Sequence, residues 1–200
     1  MQSSKTLPKT HKGKQIACIE LEKSRLLARL IKIIQAITAV LLLIAGGLLM
    51  PFSALIELKE PFEHLTVLML GMIAVSIFQE LGRGLLMCIF SGVKPVLRFT
   101  GAYLHAGCEA YFNKRDEQIL NLVPAVLLTV ILIVLFLTTN DDSWRWMIWI
   151  ILTVDICFGI GYAYASIRFM SMPDDILVQN IGSKYLVYSS KGDAEIKKNS

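Results

Sequence analysis

The sequence predicts an all-α membrane protein: four transmembrane helices, with a short cytoplasmic β-hairpin between the second and the third. Three observations carry this. Of the 200 residues, 54% are hydrophobic and the mean hydropathy is +0.58, whereas ordinary soluble domains are about 45–50% apolar even with glycine counted. The apolar residues fall in four blocks, about 26–49, 64–90, 120–138 and 144–168, near the roughly 20 residues a helix needs to cross a bilayer. Between the second and third blocks, Lys94 to Phe99 and Tyr103 to Ala106 read as two short strands, with Gly101-Ala102 as their turn. The lipid bilayer is therefore the first partner of this chain.

Residues 1–25 form a basic arm holding Lys5, Lys9, Lys12, Lys14, Lys23 and Arg25, read as a solvated tail that orients the first span. They are too polar for a cleavable signal peptide. In the first span, Arg29 and Lys32 lie near the start, where long basic side chains can reach the headgroups. Gly46-Gly47 and Pro51 end it. A short loop with Glu57, Lys59, Glu60 and Glu63 leads to the second span.

Residues 113–117 read as a turn, and Asn121 and Pro124 as the opening of the third span, where a proline sacrifices no helical hydrogen bond. A tight connection, 138–142, leads to Trp144-Arg145-Trp146, which reads as an interfacial aromatic anchor for the fourth span. The membrane domain is thus 26–170. In the tail, 171–200, residues 176–178 and 185–188 are candidates to pair as strands.

Lysine and arginine gather in the arm, in residues 92–118 and in the tail, while the other two loops hold only Lys59, with Arg145 at an edge. This asymmetry predicts a multi-pass cell-membrane protein with both termini cytoplasmic. The net charge of +4 comes from residues flanking the apolar blocks, not from a stripe, so nucleic acid is not an expected partner. Cys18, Cys88, Cys108 and Cys157 form no Cys-x-x-Cys pair and imply no disulfide framework.

The chemistry concentrates in Phe78-Gln79-Glu80-Leu81-Gly82-Arg83-Gly84, inside the second apolar block. A charge in lipid costs roughly 2.5–3.5 kcal/mol on insertion scales, so such groups turn inward and find partners. If the spans run as predicted, the second and fourth are parallel. Gln79 and Asp155 each lie about midway along them, so Gln79, Glu80, Arg83 and Asp155 can meet at one depth. One reading is a packing network in which Arg83 pairs with Glu80 or Asp155, with Gly82, Gly159 and Ala163 allowing close helix contact. The others are a catalytic or metal site, or a ligand or ion path.

Four stretches in this order, 78–90, 101–118, 120–132 and 154–179, resemble the zincin peptidase family of small bacterial integral-membrane proteins, over roughly residues 64–190. The resemblance implies a His-Glu-x-x-His motif in the second span and a zinc-ligating aspartate in the last. It assigns Glu80 to the general-base position, Asp155 to the third ligand, and Gln79 and Arg83 to the two histidine ligands. Here the sequence departs from the family. An amide is a poor zinc ligand and a guanidinium is none, so the zinc of the family is not expected. Arg83 could instead bridge Glu80 and Asp155, with Gln79 bonding to either.

His105 and Cys108, with Glu109 beside them, are a possible secondary metal cluster, and His11 and His64 fall on opposite sides of the membrane in this topology. The leading expectation is a catalytically degenerate homologue that binds a membrane peptide or partner protein. One alternative is an active intramembrane-type metallopeptidase with an unusual metal site at Glu80 and Asp155. Another is a non-enzymatic accessory membrane subunit.

Overall fold

A computed structural model of the chain describes residues 15–20, 25–56, 61–100, 103–174, 176–181 and 184–189. The expected turn at Gly101-Ala102, His11, the loop acids Glu57 and Glu60, and most of the arm and the end of the tail lie outside them. Among the described residues, four helices are long and apolar enough to cross a membrane: α1 (Arg25–Leu49), α3 (Pro61–Ser91), α4 (Lys114–Thr138) and α5 (Asp142–Met170). This is a multi-pass membrane protein. Leu30, Ile33, Ile37 and Leu41 of α1, among many others, turn outward toward lipid. A short helix, α2 (Ser53–Ile56), interrupts the loop after α1.

α5 packs against α1, α2, α3 and α4. Its middle is held by Val75 of α3, Leu128 and Leu132 of α4, and Ile151 and Leu152 of α5. Asp141 caps α5, its carboxylate accepting from the backbone N–H of Ser143 (2.8 Å) and Trp144 (3.2 Å). Trp146 is not an interfacial anchor. It is buried against Met50 and Phe136 and donates its indole N–H to the Pro51 carbonyl at 3.1 Å, which fixes the turn after α1.

α4 begins at Lys114, so residues read as a turn are helical and Pro124 sits well inside the helix instead of opening it. Asp116 and Glu117 in the first turn favour an early start, because they face the positive end of the helix dipole. The proline ring faces Gly82, where an added Cβ would lie 3.2 Å from the Pro124 Cβ. Gly159 likewise faces Ala125 of α4. The close approaches expected at these glycines are therefore both made to α4.

The expected hairpin forms as β2 (Val96–Thr100) antiparallel to β3 (Tyr103–Gly107), with Leu97 opposite Ala106 and Arg98 opposite His105. The tail strands also pair, as β5 (Ile176–Asn180) and β6 (Lys184–Ser189), with Val178 opposite Val187. They belong to a larger sheet than expected. Two strands complete it: β1 (Gln15–Glu20) on β6 and β4 (Tyr111–Asn113) on β5, in the order β1-β6-β5-β4. Residues 15–20 of the basic arm are thus a strand and not a solvated tail. Gln15 to Ile19 carries no charge, and the edge of β6 would otherwise leave its backbone groups unpaired.

Both sheets sit at one end of the bundle, where α1 and α4 begin and α3 and α5 end. Ala165 and Phe169 of α5 pack under Ile176, Val178, Tyr185 and Val187 of the larger sheet. Met87 of α3, Ala106 and Leu120 pack together beneath the hairpin.

Candidate functional site

Gln79, Glu80 and Arg83 are buried on α3, and Asp155 is fully buried on α5. The four divide into two pairs. The Gln79 amide donates to Asp155 Oδ1 at 2.6 Å, as equal depth in parallel spans requires. The other Asp155 oxygen accepts from the Thr129 hydroxyl of α4 at 2.5 Å. Arg83 reaches Glu80 and does not bridge to Asp155: its Nη2 lies 2.7 Å from Glu80 Oε2. The i, i+3 spacing brings that guanidinium onto its own helix neighbour, and Gln79 is already on Asp155.

Glu80 accepts three further contacts. The Ala106 backbone N–H donates to Oε2 at 2.7 Å, the Tyr162 hydroxyl of α5 donates to Oε1, and His105 Nδ1 is 3.9 Å from Oε1. Arg83 spreads its donors in the same direction, to the Ala106 carbonyl at 3.2 Å and the Tyr185 hydroxyl at 3.4 Å, and lies over the Tyr162 ring with 5.1 Å to its centroid. Glu80 and Arg83 therefore hold both backbone groups of Ala106, as a neighbouring strand would.

Antiparallel residues alternate between those whose backbone groups point at the partner strand and those whose groups point away. Ala106 points away from β2, toward α3. Leu104, two residues earlier, points the same way, and it lines a cleft of about 480 Å³. Lys32 of α1, Gln79 and Glu80 of α3, His105 of β3, and Tyr162 of α5 also line this cleft. The outer edge of β3 is thus engaged by α3 at Ala106 and directed into the cleft at Leu104.

A second polar layer continues beneath the sheet. Tyr185 of β6 donates to Asn121 Oδ1 at 3.2 Å, and Asn180 of β5 donates to Glu117 Oε1 at 2.8 Å. Burial pushes the Tyr185 phenol up to about 12, against a smaller opposing pull from Arg83, so it remains a donor at neutral pH. Sequence reasoning placed Asn121 at a helix start and missed Glu117, Thr129, Tyr162, Asn180 and Tyr185. Helical spacing held part of the signal: Tyr162 follows Asp155 by seven residues, on the same face of α5, and Asn121 follows Glu117 by four on α4.

The residues do not fit zinc. Gln79 presents a donor to Asp155, and Arg83 sets a cation against Glu80, where the metal's own charge would have to sit. Among the described residues no three His, Cys, Asp or Glu side chains converge as a metal requires. His105 and Cys108 are not brought into one site. His105 faces Glu80, whereas the Cys108 thiol lies 3.9 Å from Ser91 Oγ and accepts from the Ala110 N–H. Glu109 is exposed, and His64 stacks on Trp144 at the far end of the bundle, 4.5 Å between centroids. Cys88, Cys108 and Cys157 are free thiols. Compared with protein-family models, with curated proteins and with solved structures, the chain finds no match in any of the three.

Proposed function

We propose that this protein is a non-catalytic relative of the membrane zincins, which binds an extended segment of a membrane peptide or partner protein along the outer edge of β3. The observation that carries this is the grip of Glu80 and Arg83 on both backbone groups of Ala106. It presents the same strand edge, one residue pair along, to the cleft at Leu104. Strand addition supplies main-chain hydrogen bonds without demanding a particular sequence, and side-chain pockets then select. Tyr162 and His105 would be the selecting walls. In this reading Glu80 and Arg83 position a strand and do no chemistry, and zinc is not used.

The basic residues near the sheet end, Arg29, Lys32, Lys94, Arg115 and Arg168, support an orientation with the sheets and both termini in the cytoplasm. Glu63 and Asp141 and Asp142 lie toward the other end.

A photo-crosslinking residue at position 104, in intact membranes, tests the binding reading. It should give a discrete protein adduct that is lost when Arg83→Ala frees the hairpin from α3, while a well-folded Gly47→Ala control keeps it. Adducts to lipid alone, or protein adducts indifferent to Arg83, would count against strand addition and favour an accessory subunit whose buried charges only order its helices.

A further inference from the structure

The α1 side of the cleft carries a different chemistry from its β3 side. α1 is tied to α5 by polar contacts: Gln35 Nε2 donates to the Cys157 carbonyl at 2.9 Å, the Cys157 thiol donates to the Gln35 carbonyl at 3.5 Å, and Trp149 Nε1 donates to the Leu42 carbonyl at 2.8 Å. On the sheet side of the Gln35 tether lies the polar cleft, with Lys32 at its wall. Toward the bilayer centre lies a second cavity of about 340 Å³, lined by Ala36 and Ala39 of α1 and Val154 and Phe158 of α5. Gln35 and Phe158 line both cavities, so the two adjoin. From Lys32 to Ala39 the wall turns from charged to apolar over about 10 Å of helix rise.

We infer that this α1–α5 groove is a site for one anionic phospholipid, its phosphodiester at Lys32 and an acyl chain running past Gln35 and Phe158 to Ala39. Charge complementarity selects the headgroup. Lys32 is exposed and makes no ion pair or hydrogen bond among the described residues. Among the described residues the one carboxylate lining the polar cleft, Glu80, is already held by Arg83, Ala106 and Tyr162. A basic side chain near the membrane surface attracts an anionic lipid, and the long lysine stem lets its ammonium reach the headgroup level.

Size and depth select the chain. The open groove of about 340 Å³ between Ala36 and Ala39 of α1 and Val154 and Phe158 of α5 has room for a single flexible chain. An apolar wall continuing straight from a charged one matches an amphiphile better than a free anion. The inference does not rest on strand addition at β3 and survives its failure, since its residues are on α1 and α5.

Native mass spectrometry of the full-length protein in detergent, titrated with phosphatidylglycerol and with phosphatidylcholine of the same chains, tests it. One phosphatidylglycerol should be retained per chain under conditions that strip phosphatidylcholine. Lys32→Glu should weaken that retention by about tenfold, because one attraction becomes a repulsion, while Arg29→Glu, one turn away, should weaken it less than about twofold. Ala39→Trp, which fills the apolar half, should lower retention with the headgroup site intact, and the melting temperature of each variant shows whether it has folded. Glycerol 3-phosphate, which has no chain, should not be retained. Equal retention of both lipids, equal loss in the Lys32 and Arg29 variants, or retention of glycerol 3-phosphate as strong as that of the lipid would each overturn the inference.

Discussion

Arg83 and Gln79 stand one helical turn apart, and each serves a different carboxylate, so their loss carries different costs. Arg83→Ala removes the cation from a Glu80 that stays buried. Stranding a buried charge in this way costs about 3–5 kcal/mol, although the Ala106 N–H and Tyr162 remain on it. Gln79→Ala removes the hydrogen bond to the Asp155 carboxylate, worth about 1.5–3 kcal/mol, with a longer one to the Asp155 carbonyl, and leaves the Thr129 hydroxyl in place. Folded yield and melting temperature in detergent should fall more for Arg83→Ala than for Gln79→Ala; equal losses would mean that removing Arg83 does not leave Glu80 as a stranded buried charge. Tyr185 adds a pH dependence. Unfolded tyrosine titrates near 10, and burial pushes Tyr185 up to about 12. The fold therefore holds this proton more tightly, so its contribution is complete below about pH 10 and is lost as the pH rises toward 12. Melting temperature measured against pH should decline over that window, and Tyr185→Phe should flatten the decline while lowering the plateau through its lost bonds to Arg83 and Asn121.

At the scale of elements, the contact of α3 with α4 turns on Gly82. A Cβ there would meet the Pro124 ring at 3.2 Å, and the ring cannot swing away as a flexible side chain would. Gly82→Leu should destabilise by about 1–3 kcal/mol through overpacking. Gly47 has open space around it, so Gly47→Ala should leave the melting temperature unchanged or raise it, since alanine is the better helix former. Equal effects at the two glycines would remove the argument for a close α3–α4 seam. The helices were legible because lipid imposes long apolar runs, and the hairpin because two short strand-like runs flank the turn signal Gly101-Ala102. β1 and β4 were not. Gln15–Glu20 and Tyr111–Asn113 are short and become strands only because β6 and β5 offer them edges. Pro124 misled for a related reason. A proline marks a helix start when the chain is read locally, but here the helix continues around it against the glycine of another element.

Over the whole molecule, equal depth in parallel spans brings Gln79 and Asp155 together across 76 residues of sequence, and their hydrogen bond of 2.6 Å makes the polar layer a property of the bundle. Two partners of Glu80, Ala106 and His105, could not be placed in that way, because they come from a hairpin that counting along spans does not position. That layer permits a test of descent as well as of mechanism. Position 79 already touches Asp155, and position 83 already touches Glu80. Histidines at both positions would recreate the ligand set that the family resemblance implies, with position 79 already beside Asp155 and both positions on one face of α3. Elemental analysis of purified protein should find no stoichiometric zinc in the parent and about one equivalent in the Gln79→His/Arg83→His double variant, given three ligands suited to that metal. A parent carrying stoichiometric zinc would contradict the assignment of the site. A double variant that folds but holds none would leave the buried network as a device for ordering helices and positioning β3, with no zincin frame beneath it. The second outcome leaves strand addition at Leu104 open and removes only its proposed ancestry, because the grip on Ala106 in the parent depends on Glu80 and Arg83 and not on any metal.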